Sequence, residues 1–214
     1  MEYLTIALAK GRLAEITIEI LEQCGINCQS LKQSTRKLVL IDEENKVKFL
    51  LVKPSDVPTY VDYGVADIGV IGKDTLMEEN KPLYEVLDLG FAACKLSIAG
   101  FPETDIYNKA KKLKVATKYP NIAASFFSTK SIDIEIIPLH GSVELGPITG
   151  LSDVILDIVE SGKTLRANGL DILEDVCNIS ARLVVNQVSL KTKSARIRDL
   201  VSKISLIVEG RVND

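Results

Sequence analysis

Short, unbroken apolar runs alternate along the chain with segments whose apolar residues recur every three or four positions. Residues 3–9 (YLTIALA) are apolar and β-prone, which predicts a buried strand. After Lys10, Gly11 and Arg12 the period changes, and LAEITIEILEQCG predicts a helix that closes at Gly25. KLVLID (37–42) and VKFLLVK (47–53) flank a polar EEN and predict a hairpin. Residues 54–64 predict a short helix with Ser55 or Asp56 as its N-cap. Residues 66–72 predict a strand, and Lys73 and Asp74 open a helix that ends near Asn80. Two strands are expected over 83–90 and 94–100.

The alternation then begins again. Strands are predicted at 114–117, 134–139 and 152–159, a helix at 119–130, a short helix at 141–150, and another helix opening at Gly162-Lys163-Thr164. Residues 170–190 read as extended and β-branched, and 191–210 as one amphipathic helix. The basic start of that helix (Lys191, Lys193, Arg196, Arg198) is either a solvated face or a contact for a partner subunit. Two strand–helix series imply an α/β fold with mostly parallel sheets. The extended stretches near 83–100 and 170–190 suit two crossovers joining two lobes, with a ligand cleft between them.

Composition narrows the function. A formal net charge of -3, 5% aromatic residues and no tryptophan argue against nucleic acid as a partner. No basic segment precedes the first apolar run, and no apolar stretch approaches the roughly 20 residues of a membrane span, so a soluble cytoplasmic protein is expected. Cys24, Cys28, Cys94 and Cys177 match no zinc or redox spacing and read as free thiols, and no protein metal site is expected.

The candidate chemistry centres on DIVESGKTL (157–165). A Walker A loop requires glycine where Asp157 stands, so a P-loop nucleotide hydrolase is disfavoured. Ser161, Gly162, Lys163 and Thr164 still present N–H groups and hydroxyls at the start of a helix, which favours an anion. Asp157 and Glu160 would repel a bare phosphate but accept hydrogen bonds from sugar hydroxyls, which points to a phosphorylated sugar. The plainer reading is a capped strand-to-helix turn with Ser161 as N-cap.

This loop resembles the 5-phosphoribosyl-1-pyrophosphate (PRPP) loop of the ATP phosphoribosyltransferases, which open histidine biosynthesis. The resemblance extends to IALAKGRL, TRKLVL, SDVPTYVDYGVADIGVIGKD, ATKYPNIAASFF, the whole of 141–170, and SARLVVNQVS, in family order. It implies a two-lobed fold similar to type II periplasmic binding proteins, with lobe one from 1–90 plus 182–214 and lobe two from 91–181. It implies attack of adenine N1 of ATP on the anomeric carbon of PRPP, with Mg2+ bound alongside PRPP or ATP. The chain is similar to the short form of the family, a catalytic subunit, expected as a homodimer, that assembles with a separate histidyl-tRNA-synthetase-like regulatory subunit.

On that resemblance, Ser161, Gly162, Lys163 and Thr164 hold the 5′-phosphate, and Asp157, with Glu160 secondary, meets the ribose hydroxyls. Arg12 and Arg36 meet pyrophosphate or the ATP phosphates, for which a planar guanidinium fork is suited. Lys10, Gly11, Asp74 and Glu144 are weaker candidates. The single histidine, His140, reads as structural or at the site's edge. A non-catalytic binding module of the same fold, and a phosphoribosyltransferase with another acceptor base, remain the rival readings.

Overall fold

The computed structural model describes residues 2–32, 36–108 and 110–212. The chain divides into two units, Met1–Ala92 with Ser180–Asp214, and Ala93–Ile179.

In the first unit, strand β1 (Leu4–Ala9) is buried at every position. Its alternate side chains enter two different cores, Leu4, Ile6 and Leu8 on one face and Ala7 and Ala9 on the other. A strand covered on both faces needs no polar alternation, which is why it reads as an unbroken apolar run. Helix α1 (Arg12–Gln23) packs Ile18, Ile20 and Leu21 inward. It closes at Gly25 with paired bonds, Gly25 N–H to Glu22 O at 2.9 Å and Ile26 N–H to Leu21 O at 3.0 Å. Helix α2 (Gln29–Lys32) leads to the hairpin of β2 (Val39–Asp42) and β3 (Val47–Val52). Asp42 builds its turn by accepting from the Glu44 and Asn45 N–H groups, both at 3.1 Å.

A 3-10 turn at Pro54–Asp56 precedes α3 (Val57–Asp62), with Asp56 at the N-cap position but making no side-chain capping bond. Then come β4 (Ile68–Gly72), α4 (Lys73–Glu79), which ends at the left-handed Asn80, and β5 (Tyr84–Asp88).

The second unit contains β6 (Cys94–Gly100), β7 (Leu113–Thr117), α5 (Pro120–Thr129), β8 (Ile134–Pro138), α6 (Leu145–Ile148), β9 (Val154–Val159), α7 (Lys163–Ala167) and β10 (Asp171–Ile179). The chain then returns to the first unit as β11 (Ala181–Val185), α8 (Gln187–Thr192) and α9 (Ser194–Val212). Among the described residues the strands form two sheets, ordered β2-β3-β1-β4-β11-β5 and β10-β6-β9-β7-β8.

The structure corrects three expectations. The sheets are mixed rather than mostly parallel. β1 pairs in parallel with β3 and β4, and β7 with β8 and β9, while β2, β5, β6, β10 and β11 join antiparallel. The hairpin and the strands flanking the two chain crossings run back against the parallel centres. Residues 170–190 are not extended throughout. Asn186 ends β11 and caps α8, its side-chain oxygen accepting from the Val188 and Ser189 N–H groups at 2.9 Å each. Its amide donates to Val61 O and Asp62 O.

The expected single helix over 191–210 is interrupted at Lys193, whose ammonium donates to Tyr3 O at 2.8 Å and to the Asp67 carboxylate at 2.9 Å. Arg196 donates to Glu2 O, Asn45 O and Lys46 O. Both cations are thus engaged with their own chain. Ile197, Leu200 and Ile204 of α9 complete the core that covers β1, β3 and β4.

Candidate active site

In the second unit the site grows from the end of β9. Asp157 lies opposite Ser97 of β6 in the ladder and is half-buried. Ser97 is buried and donates to Asp175 at 2.8 Å. Hydrogen bonds from Lys95 and then Ser97 hold the Asp175 carboxyl below its usual range.

Beyond Val159 the chain turns through exposed Glu160 and Ser161 to Gly162, which is buried at φ 67°, ψ 7°. That left-handed conformation costs an L-residue roughly 1–2 kcal/mol, so glycine suits this turn. Lys163 and Thr164 open α7 and are exposed, while Leu165 anchors the loop in a core with Ala99, Ala116, Val143, Ile155 and Leu170. Because α7 has only five residues, an anion here would be held by individual N–H groups and hydroxyls more than by a helix dipole.

These residues share one pocket of about 230 Å³, lined by Asp157, Glu160, Ser161, Lys163, Thr164 and Glu144. Glu144 arrives from the N-cap position of α6. Gly146 lets that helix approach, since a Cβ there would collide with Ser152 Oγ and stand 3.0 Å from Ala116 Cβ. The pocket combines carboxylates, suited to hydroxyls, with a turn of N–H groups and hydroxyls, suited to phosphate.

The other candidates belong to the first unit. Lys10 lines a separate pocket of about 620 Å³ whose walls include Leu38, Val39, Leu50 and Tyr60. Lys53 and Asp56 line it too. Lys53 escaped the sequence reading, and its only signal is its place between the end of β3 and Pro54. Gly11 is the N-cap of α1, Arg12 its exposed first residue, and Arg36 is exposed just before β2. Asp74 is buried in the first turn of α4, its Oδ1 so close to Gly72 that a Cβ there would collide with it. His140 is exposed.

The structure therefore gathers Glu144, Asp157, Glu160, Ser161, Gly162, Lys163 and Thr164 around one pocket. It places Lys10, Gly11, Arg12, Arg36 and Asp74 in the other unit. Arg166 is the second residue missed. Its guanidinium donates to Ser161 O at 2.7 Å from the first turn beyond the loop.

Among the described residues no group of three or more His, Cys, Asp or Glu is arranged to hold a metal ion, and no helix is long and apolar enough to cross a membrane. Magnesium commonly uses one or two carboxylates plus substrate phosphates, so a phosphate-borne ion needs no such cage. Asp157, Glu160 and Glu144 supply oxygen donors of the right kind within the pocket.

A family model described as HisG: ATP phosphoribosyltransferase matches residues 53–206. The chain is 56% identical over 208 residues to an ATP phosphoribosyltransferase of Ruminiclostridium cellulolyticum, covering 95% of this chain and 96% of that one. It is 54% identical over 201 residues to one from Clostridioides difficile, covering 94% and 96%. Among solved structures, the ATP phosphoribosyl transferase (HisG:HisZ) complex from Thermotoga maritima is 35% identical with a TM-score of 0.84, covering 97% of this chain and 99% of that one. The periplasmic aliphatic sulphonate binding protein SsuA of Escherichia coli, at 15% identity and TM-score 0.57, shares the fold over 97% of this chain and 73% of its own.

Proposed function

The chain belongs to the ATP phosphoribosyltransferase family, and from that membership we propose that it joins ATP to PRPP, with the ribose 5-phosphate end bound by residues 157–164. Adenine N1 of ATP attacks the anomeric carbon of PRPP. A C–N bond forms, the bond to pyrophosphate oxygen breaks, and the leaving group carries away its electron pair. The products are phosphoribosyl-ATP and pyrophosphate.

The transition state gains positive charge on the ribose and negative charge on the leaving oxygen. The adenine lone pair needs no base to release it, so the protein's work is orientation and anion stabilisation. Asp157 accepts from the ribose hydroxyls, with Glu160 beside it, and Ser161 to Thr164 hold the 5′-phosphate. Glu144 lines the same pocket and suits a hydroxyl or a cation. Arg12 and Arg36, assisted by Lys10 beside Gly11, neutralise the leaving pyrophosphate or the ATP phosphates, and Asp74 acts on the same side of the reaction. Mg2+ would come with the substrate phosphates and would neutralise charge there, and Asp157, Glu160 and Glu144 are the oxygen donors of the pocket that would hold it.

The observation that carries this reading is the single pocket that holds Asp157 together with the Ser161–Thr164 turn. The Thermotoga maritima relative, solved as a HisG:HisZ complex, supports a HisZ-like partner subunit for this chain. We place the reaction in the cytoplasm. The test is to incubate the chain with ATP, PRPP and Mg2+, with and without a HisZ subunit, and to look for phosphoribosyl-ATP by mass. Product in either mixture is expected. Its absence from both, with folded protein that still binds ligand, would favour a binding module.

A further inference from the structure

Arg166 lies four residues beyond Gly162 and folds back over it. Its Nη2 donates to Ser161 O at 2.7 Å, and its backbone N–H donates to Gly162 O at 3.1 Å. The packing is close enough that a Cβ on Gly162 would stand 2.9 Å from Arg166 Nη1. Arg166 lines a different pocket, of about 470 Å³, with Pro102, Gly162, Asp171 and Leu173. It does not line the pocket that holds Asp157 and Thr164.

No described peptide bond is cis. In a trans peptide the C=O and the following N–H point in opposite directions. A Ser161 carbonyl turned toward Arg166 therefore sends the Gly162 N–H the other way. Glycine visits positive and negative φ with similar ease, so this is the peptide in the loop most prone to flip. A flipped peptide would aim carbonyl lone pairs, rather than an N–H, at an anion.

We propose that Arg166 is a positioning residue for the reaction: it pins the Ser161–Gly162 peptide so that the Gly162 N–H, and not the Ser161 carbonyl, faces the 5′-phosphate of PRPP. This rests on the assignment of residues 157–164 to PRPP. Arg166 acts through the backbone and does not touch substrate.

Calorimetric titration of PRPP into wild type, Arg166→Ala, Arg166→Lys and Thr164→Val tests it, at about 0.05 M and about 0.5 M salt. Losing a charge-assisted hydrogen bond that holds the binding peptide should raise the Kd for PRPP about tenfold in Arg166→Ala. Because the contact is local, that factor should be the same at both salt concentrations, whereas a long-range charge effect shrinks with screening. Lysine should recover most of the loss, since its ammonium can also donate to the carbonyl. The KM for ATP and the thermal midpoint should stay near wild type.

A loss in Arg166→Ala that vanishes at high salt would overturn the proposal. So would wild-type affinity in Arg166→Ala while Thr164→Val binds weakly. Wild-type affinity in both variants would instead show that the loop is not the PRPP site.

Discussion

Removing the Asp67 carboxylate should unfasten the C-terminal helices from the first unit. Asp67 Oδ2 accepts from the Thr5 N–H at 2.8 Å and from Lys193 Nζ at 2.9 Å, and Oδ1 accepts from Ser189 Oγ at 2.6 Å. One side chain thus joins β1, α8 and the residue between α8 and α9 across more than 120 positions of sequence. The Asp67 side chain is 5% exposed and that of Lys193 18%.

Breaking a buried ion pair by deleting one partner typically costs about 3–5 kcal/mol. Lys193 can still reach water and keeps its bond to Tyr3 O. We therefore take the low end, about 3 kcal/mol for Asp67→Ala, which for a chain of this size lowers Tm by roughly 6–12 °C. Asp67→Asn keeps an acceptor but loses the charge, and should cost about half as much. Urea unfolding followed by circular dichroism measures both, with equal m-values required for the comparison. The 157–164 loop belongs to the other unit, so the fold of that loop should not depend on Asp67. A loss below about 1 kcal/mol in Asp67→Ala would mean that this carboxylate does not anchor the C-terminal helices, since a satisfied buried carboxylate is not removed that cheaply.

Three further outcomes follow from the structure. Arg12→Ala and Arg36→Ala should each lower turnover by roughly 10²-fold, the usual loss for a charge-stabilising donor, with melting curves near wild type because both side chains are exposed. Asp157→Asn should weaken PRPP binding about tenfold in calorimetry while leaving the KM for ATP within twofold, as expected for one lost charged acceptor. The third concerns Glu174. Burial pushes its carboxyl up, but hydrogen bonds from Lys130 and Tyr107 outweigh that and hold it below its usual value of 4.5. A depressed carboxylate contributes stability above its unfolded pKa and loses it as pH falls through the folded one. Lys130→Met should therefore be less stable than wild type at pH 6, with the gap closing below about pH 4 in acid-unfolding curves. A gap that is constant with pH would contradict the assignment.

Much of this fold was legible because its buried strands are short apolar runs and its helices repeat at helical spacing. Leu4–Ala9 is the plainest case, with both faces covered. Strand direction was not legible, since a covered strand has the same apolar pattern whichever way it runs. Helix α8 was hidden in β-branched sequence because its start depends on Asn186, whose amide is held by carbonyls of residues 61 and 62, far away in sequence. Lys193 and Arg196 read as surface charge, yet backbone carbonyls of Glu2, Tyr3 and Lys46 capture them. In the candidate site, Asp157 and the Ser161–Thr164 turn stood out through a broken phosphate-loop pattern. Arg166 did not, because its partner is a backbone carbonyl, which no side-chain motif encodes.

Glycine amides would show whether PRPP is held by the 157–164 loop. The chain has 13 glycines, few enough for a resolved spectrum after selective 15N labelling. Titration with PRPP and Mg2+ should move the Gly162 amide resonance markedly while those of Gly25 and Gly64, in the other unit, stay near their starting positions. Saturating PRPP that leaves Gly162 unmoved, with binding confirmed by calorimetry, would mean that PRPP binds away from this loop.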